Sequence, residues 1–387
     1  MKKLCVSFAA AFILLKTLPL GGFYANSAEK PEITAKGAVL ISADTGEIIF
    51  ESNSSQKLPM ASTTKIMTTL LCLESGDLYD EFIVDSDAIK VEGSSMGLQE
   101  GDIVTKYALC CGMLLPSGND AANAAAVKIA GSIENFAVLM NDKAKELGLS
   151  RTFFVTPSGL EGEGHGSSAC DMAMLAREAL KNEIFRDICS QSSIELEFGN
   201  PPYRRWLKNT NKLLNMYDGV YGVKTGFTDE AGRCLVSSCE RDGLNLICVT
   251  LNDRNDWSDH AAMYDYGFEA AHNLELKIPE LFELELAGGE NDKITVTAGD
   301  EPINITTLAA SQEDFEIQIV ASPFVYAPVE KGEELAELKI SFKGREVRRI
   351  PLYSAEEADV KQIESSCEKD EKNWFEKFIT KIGKYFS

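Results

Sequence analysis

Histidine is nearly absent from this chain. The three among 387 residues, His165, His260 and His272, form no ligand pair, and Cys110 and Cys111 are adjacent rather than spaced as C-x-x-C. No zinc site emerges from such a set, and no reading below requires a metal or a cofactor. Long apolar runs are also scarce: the one from Leu4 to Leu15 is too short to span a bilayer, and no later stretch reaches spanning length. Basic residues are outnumbered, 38 against 60 acidic, and three of the lysines lie in the acid-free first 28 positions. The remainder carries a formal charge of about −25, which makes nucleic acid a poor partner. Internal repeats and low-complexity tracts are missing.

What is present begins with "MKKLCVSFAAAFILLKTLPLGGFYANSA". Two lysines, an apolar run and small residues around Ala25, Ser27 and Ala28 read as a signal peptide over residues 1–28. Nine cysteines follow it, an odd number that cannot all pair within one chain. Most stand in apolar segments such as "YALCCGMLLP", where a thiol is usually a small core residue, so they read mainly as buried free thiols.

Residues 29–273 mix helices and strands. "GAVLISADTGEIIFES" reads as two strands around Asp44-Thr45-Gly46, and "RCLVSSCERDGLNLICVTLND" as a hairpin around Asp242-Gly243. Helical patterns lie between, at about 62–74, 105–114, 119–130, 133–147 and 171–181. The last is supported by Ser168 and Asp171 at capping-box spacing. Strands at both ends with helices between predict one sheet assembled from distant segments. Residues 274–354 change to short alternating strands, as in a small β-sandwich. Residues 355–387 read as a polar, acidic linker followed by an amphipathic helix.

Three short motifs carry the chemistry. In "PMASTTKIMTTLL", Ser62 and Lys65 are three apart and share a helix face. Apolar neighbours lower a lysine's pKa, and a neutral amine beside a hydroxyl can take its proton, which makes a serine nucleophilic without histidine. Taken alone the pair reads as a capping serine and a snorkelling lysine. In "MLLPSGNDAANAAA", Ser117-Gly118-Asn119 is either an ordinary turn and helix cap or a second motif, with Ser117 relaying a proton and Asn119 bonding a substrate amide. In "DGVYGVKTGFTDEAG", Lys224-Thr225-Gly226 is either a solvated strand end or a place where an extended peptide lies along an edge strand, its carboxylate held by Lys and Thr and its approach eased by Gly.

The three together, in this order, resemble the motifs of penicillin-binding proteins and class A β-lactamases. The wider stretches "GSSMGLQEGD", "FVTPSGLEGEGHGSSACDMAMLA" and "DGVYGVKTGFTDEAGRCL" resemble the low-molecular-mass serine-type D-alanyl-D-alanine carboxypeptidases of the penicillin-binding protein 5 type. That resemblance implies an α+β penicillin-binding/β-lactamase-like transpeptidase domain with a central, mostly antiparallel sheet and a small all-β domain after it. It implies Ser62 as nucleophile, Lys65 as general base and Ser117 as a further catalytic residue. Asn119, Lys224, Thr225, Gly226 and Phe227 would bind substrate, with an oxyanion hole from the N–H groups of Ser62 and Phe227. Several relatives have a polar residue where Phe227 stands. Some use a downstream arginine for the carboxylate, and Arg254 is a candidate of uncertain register.

The implied substrate is the D-Ala-D-Ala end of peptidoglycan stem peptides, with β-lactams as covalent inhibitors and no cofactor. The alternatives are a β-lactamase, for which an E-x-x-L-N element is missing, a DD-endopeptidase using the same site, and a non-catalytic wall-peptide binder or scaffold. His165, between two glycines, reads as a loop residue. The tail "EKNWFEKFITKIGKYFS" places Trp374, Phe375, Phe378, Ile379, Ile382, Tyr385 and Phe386 within an arc of roughly 140° on a helix. Such a helix, about 20 Å long, can lie on a membrane but not cross it. Its lysines suit anionic lipid, so the expected place of action is outside the cell, at the outer face of the cytoplasmic membrane or in the wall.

Overall fold

The computed structural model describes residues 29–299 and 301–362. The expected signal peptide, the tail helix and most of the linker before it lie outside the described residues.

The larger domain is organised by a five-stranded antiparallel sheet drawn from both ends of its sequence. The hairpin Gly37–Ser42 and Ile48–Ser52 pairs with Leu244–Leu251, which is followed by Gly232–Arg241 and then by Val220–Thr228 at the edge. The register runs from Gly37 opposite Leu251 to Ser42 opposite Leu246. Successive side chains of a strand face opposite sides, and here both sides are covered. Val39, Ile41, Val236, Ile247 and Val249 join one core with Ile66 and Met67. Leu40, Leu235, Leu246 and Cys248 join another with Met263 and Tyr264 of the helix Asp256–Ala270. Burial on both faces is why "GAVLIS" is a continuous apolar run instead of an alternating one. At Gly267 a Cβ would lie 2.4 Å from Leu40 Cδ2, so glycine lets this helix lie close to the sheet.

The helices Lys65–Glu74, Lys106–Leu114, Asn119–Ala130, Ile133–Glu146 and Ala169–Ala179 fall where the sequence predicts them, within a residue or two apart from the first start. The sequence patterns did not single out Glu183–Ser190, the ribbon Ser193–Gly199 with Pro202–Lys208, or Asp256–Ala270. Only half of the expected capping box forms. Ser168 Oγ accepts from Asp171 N at 3.1 Å, while the Asp171 carboxylate instead accepts from Arg151 N and Thr152 Oγ1. All eight described cysteines are free and seven are buried; burial pushes the Cys189 and Cys234 thiols up to about 12.

The second domain is all β. A six-stranded sheet runs Phe315–Ala321, Glu334–Phe342, Arg345–Ser354, Lys293–Thr297, Phe282–Ala287, Val325–Tyr326, and a ribbon pairs His272–Leu276 with Ile303–Thr307. The 273/274 boundary therefore falls inside the first strand of that ribbon. The domains are joined by polar contacts: Ser42 Oγ donates to Thr306 O at 2.6 Å, and Thr306 N donates to Asp44 Oδ2 at 2.7 Å. Among the described residues no helix is long and apolar enough to cross a membrane.

Candidate active site

The three motifs, far apart in sequence, meet at one cleft. Ser62 lies in the 3₁₀ turn Ala61–Thr64, and the α-helix proper starts at Lys65. The tighter winding is what brings them together, because residues three apart on a 3₁₀ turn lie almost above one another. Lys65 Nζ donates to Ser62 Oγ at 2.9 Å, Asn119 Oδ1 at 2.7 Å and Ser158 O at 2.6 Å. An ammonium has three protons to donate, and all three acceptors here are uncharged. Lys65 is 0% exposed. Burial first, and the nearby Lys224 charge second, hold its pKa well below the usual lysine range; Asp120 opposes the shift. In the neutral form that this shift favours, Nζ keeps two protons for Asn119 Oδ1 and Ser158 O and turns its lone pair to the Ser62 hydroxyl, so the 2.9 Å contact then runs from Oγ to Nζ.

Ser117 and Asn119 come from the join between two helices. Ser117 has φ +66, a left-handed conformation unusual for a residue with a side chain. It is buried and lines the cleft. Asn119 opens the helix Asn119–Ala130, and its carboxamide is engaged at both ends: Oδ1 accepts from Lys65, and Nδ2 donates to Glu92 O at 2.7 Å. In this structure it orients Lys65, a part that the sequence did not assign to it. Asp120, next in line, gathers the adjoining loop by accepting from Ser95 Oγ, Met96 N, Gly97 N and Leu98 N at 2.5–3.0 Å. Ser94 of that loop lines the cleft.

Lys224, Thr225 and Gly226 sit within the edge strand Val220–Thr228 rather than at its end. Lys224 is 1% exposed, and burial lowers its pKa to about 7. Its Nζ donates to Thr225 O at 2.9 Å, and Thr225 Oγ1 is 2.7 Å from Thr210 Oγ1. A Cβ on Gly226 would lie 3.1 Å from Met60 O, Ser62 N and Thr63 N, so only glycine lets the strand press this closely against the Ser62 turn. Phe227 is 62% exposed at the rim.

The cleft is a cavity of about 370 Å³ whose walls include Ser62, Ser117, Thr225, Gly226 and Phe227. Lys65, Asn119 and Lys224 lie buried behind that wall. Arg254 does not line this cavity; the arginine that does is Arg233, opposite Phe227 in the strand register. Its Nη2 donates to Asp256 Oδ1 at 2.6 Å, and its guanidinium stands 5.3 Å from the Trp257 ring centre. Extending the hairpin register from Gly226 would have found it. His165 is a loop residue away from this cavity. Its Nδ1 accepts from Val155 N at 2.9 Å, which leaves the proton on Nε2 for Thr64 Oγ1 at 2.9 Å, and burial lowers its pKa to about 4. No group of three or more His, Cys, Asp or Glu among the described residues could hold a metal ion.

Comparison with known proteins identifies the family. The model of a D-alanyl-D-alanine carboxypeptidase family matches residues 24–255, and that of the penicillin-binding protein 5 C-terminal domain matches residues 280–360. The chain is 35% identical over 372 residues to the D-alanyl-D-alanine carboxypeptidase DacF of Bacillus subtilis strain 168, covering 92% of this chain and 95% of the relative. DacC of Escherichia coli K12, another D-alanyl-D-alanine carboxypeptidase, is 31% identical over 86% of both chains. Among solved structures, the D-alanyl-D-alanine carboxypeptidase DacD of Francisella tularensis superposes with a TM-score of 0.61 at 26% identity, over 86% of this chain and 96% of that one. The Streptomyces K15 DD-transpeptidase gives 0.60 at 31% identity, over 62% and 99%.

Proposed function

The chain belongs to the D-alanyl-D-alanine carboxypeptidase family and is a serine hydrolase of that type, and from that premise we propose how its residues divide the work. The observation that carries the reading is the fully buried Lys65 with Nζ 2.9 Å from Ser62 Oγ. Ser62 Oγ attacks the carbonyl between the last two D-alanines of a peptidoglycan stem peptide while the Lys65 amine takes its proton. Asn119 and Ser158 hold that amine in place. The N–H groups of Ser62 and Phe227 receive the developing oxyanion, a contribution typically worth about 3 kcal/mol per donor.

The proton returns through Ser117 to the leaving nitrogen, the C–N bond breaks, and D-alanine departs. Water then hydrolyses the ester on Ser62, with Lys65 again as base. Lys224, Thr225 and Arg233 read the terminal carboxylate; Arg233, fixed by Asp256, offers the planar fork suited to that group. β-Lactams acylate the same serine. Residues 1–28 direct export, and the amphipathic segment near residues 373–387 holds the protein at the membrane surface.

The test is D-alanine release, followed by mass spectrometry, from a pentapeptide ending in D-Ala-D-Ala. The protein is expected to release one D-alanine per peptide and Ser62→Ala none. Release by Ser62→Ala at the unsubstituted rate contradicts the assignment.

A further inference from the structure

The β domain leaves one edge of its six-stranded sheet open. The strand Phe315–Ala321 pairs with Glu334–Phe342 on one side, and among the described residues no backbone group bonds to it on the other. Its unpaired N–H and C=O groups are a template for another strand, and soluble proteins usually blunt such an edge with lysine or a bulge. Neither is present here. The register against Glu334–Phe342 is unbroken over all seven residues, and no charged residue occurs from Ile317 to Val329, on a chain that is 25% charged. Ile319 and Val320, which as neighbours point to opposite faces of the sheet, are 40% and 41% exposed. An incoming strand therefore finds apolar side chains beside it on both faces.

Only a strand satisfies this edge. A bilayer core offers its N–H and C=O groups no partners, and the tail near residues 373–387 reads as a helix, whose backbone bonds are made internally. A second copy of the chain carries the same edge, and a two-fold axis turns it antiparallel to the first. The chain's other edges are engaged or charged: Val220–Thr228 lines the cleft, Ile48–Ser52 follows Glu47 and carries Glu51, and Ile303–Thr307 is held to the larger domain through Thr306. With 60 acidic residues against 38 basic, an uncharged strip is also where two copies repel least.

We propose that two copies of the chain join through Phe315–Ala321 as antiparallel partners, so that their β domains share one continuous sheet. Glu316, the strand's one charge, sets the register. With the axis at Ile319, that residue faces its own copy, Gln318 faces Val320 and Glu316 faces Ser322, which leaves the two Glu316 backbones about 20 Å apart. An axis nearer Glu316 brings the like charges together, which destabilises a strand pair. Pro323, with no N–H to give, ends the pairing. One strand pair is a small interface, so the dimer forms at micromolar concentration.

The experiment is sedimentation equilibrium of the chain free of its signal peptide, in detergent micelles, from about 1 to 100 µM, beside the variants Val320→Lys and Gln318→Cys. A reversible equilibrium of monomer and dimer is expected. Val320→Lys sets two lysines diagonally across the axis and should raise the dissociation constant by about tenfold or more. Acylation by a fluorescent penicillin should stay within about twofold, since Val320 lies outside the active-site cleft. Gln318→Cys places two thiols about 7–8 Å apart as diagonal neighbours, and a bismaleimide of that reach should join them into a covalent dimer linked at residue 318, located by mass spectrometry. A chain that stays monomeric over the whole range overturns the inference and leaves the edge to a strand of another protein. A dimer that Val320→Lys does not weaken overturns it too, as does growth beyond two copies. If Val320→Lys loses acylation through misfolding, the cross-link decides, and its absence at residue 318 contradicts the pairing.

Discussion

Asn119 is tied to Lys65 by a 2.7 Å hydrogen bond from Nζ to Oδ1, and the carboxamide is itself fixed by its Nδ2 bond to Glu92 O. The base is thus held by a neutral acceptor, which does not favour its charged form as a carboxylate would. Asn119→Asp puts an anion at that contact and stabilises the ammonium. The acylation rate by a fluorescent penicillin, measured across pH, should have its rising limb moved upward by about one unit or more. An unmoved limb would show that Asn119 does not set the state of Lys65.

Lys224 is the second buried lysine, and its lowered pKa of about 7 gives two consequences of definite sign. A free-acid peptide needs the charged form, so its binding should weaken as pH rises above about 7, while the same peptide ended as an amide should not follow that limb. Lys224→Ala should harm the acid by about 1.5 to 3 kcal/mol more than the amide. Equal losses would remove Lys224 from carboxylate reading. For stability, the folded value lies below the ordinary 10.5, so the unfolded chain binds more protons between about 7 and 10.5. This group therefore makes stability increase with pH across that window, and Lys224→Met should flatten the rise.

Gly226 tests how closely the edge strand must approach the nucleophile. The three atoms that would stand 3.1 Å from a Cβ at this position are all backbone, so Gly226→Ala must push the strand from the Ser62 turn. A small misplacement of reacting groups can cost about 100-fold in rate. We expect kcat/KM to fall by at least about tenfold with little change in Tm. A variant of full activity would show that the strand can move without harm.

Deleting residues 373–387 should shift the protein from the membrane fraction to the soluble one with penicillin binding intact. A truncated protein, free of its signal peptide, that still sediments with membranes would refute the anchor.

Much of the fold was readable because local and global signals agree. "GAVLIS" and the Asp242-Gly243 hairpin are strands by composition and turn chemistry, and Asn119–Ala130 begins and ends where its pattern does. The helix Asp256–Ala270 was hidden because it buries Asp256, Asp259 and His260, polar residues that read as surface. Their partners, Arg233, Thr34, Ser237 and Thr250, come from distant segments. The motif residues Ser62, Lys65, Ser117 and Lys224 stand out through their spacing. Arg233 carries no motif and enters only through its register opposite Phe227. Asp120 likewise gains its part from a loop more than twenty residues earlier.

The central claim is that Ser62 is the nucleophile and Lys65 its base, and the most direct measurement is to locate the covalent adduct. After incubation with a penicillin, digestion and mass spectrometry should find the added mass on Ser62 alone. Lys65→Arg, whose guanidinium stays protonated, should slow adduct formation by about 100-fold or more. An adduct on another residue, or undiminished acylation of Lys65→Arg, would contradict the account.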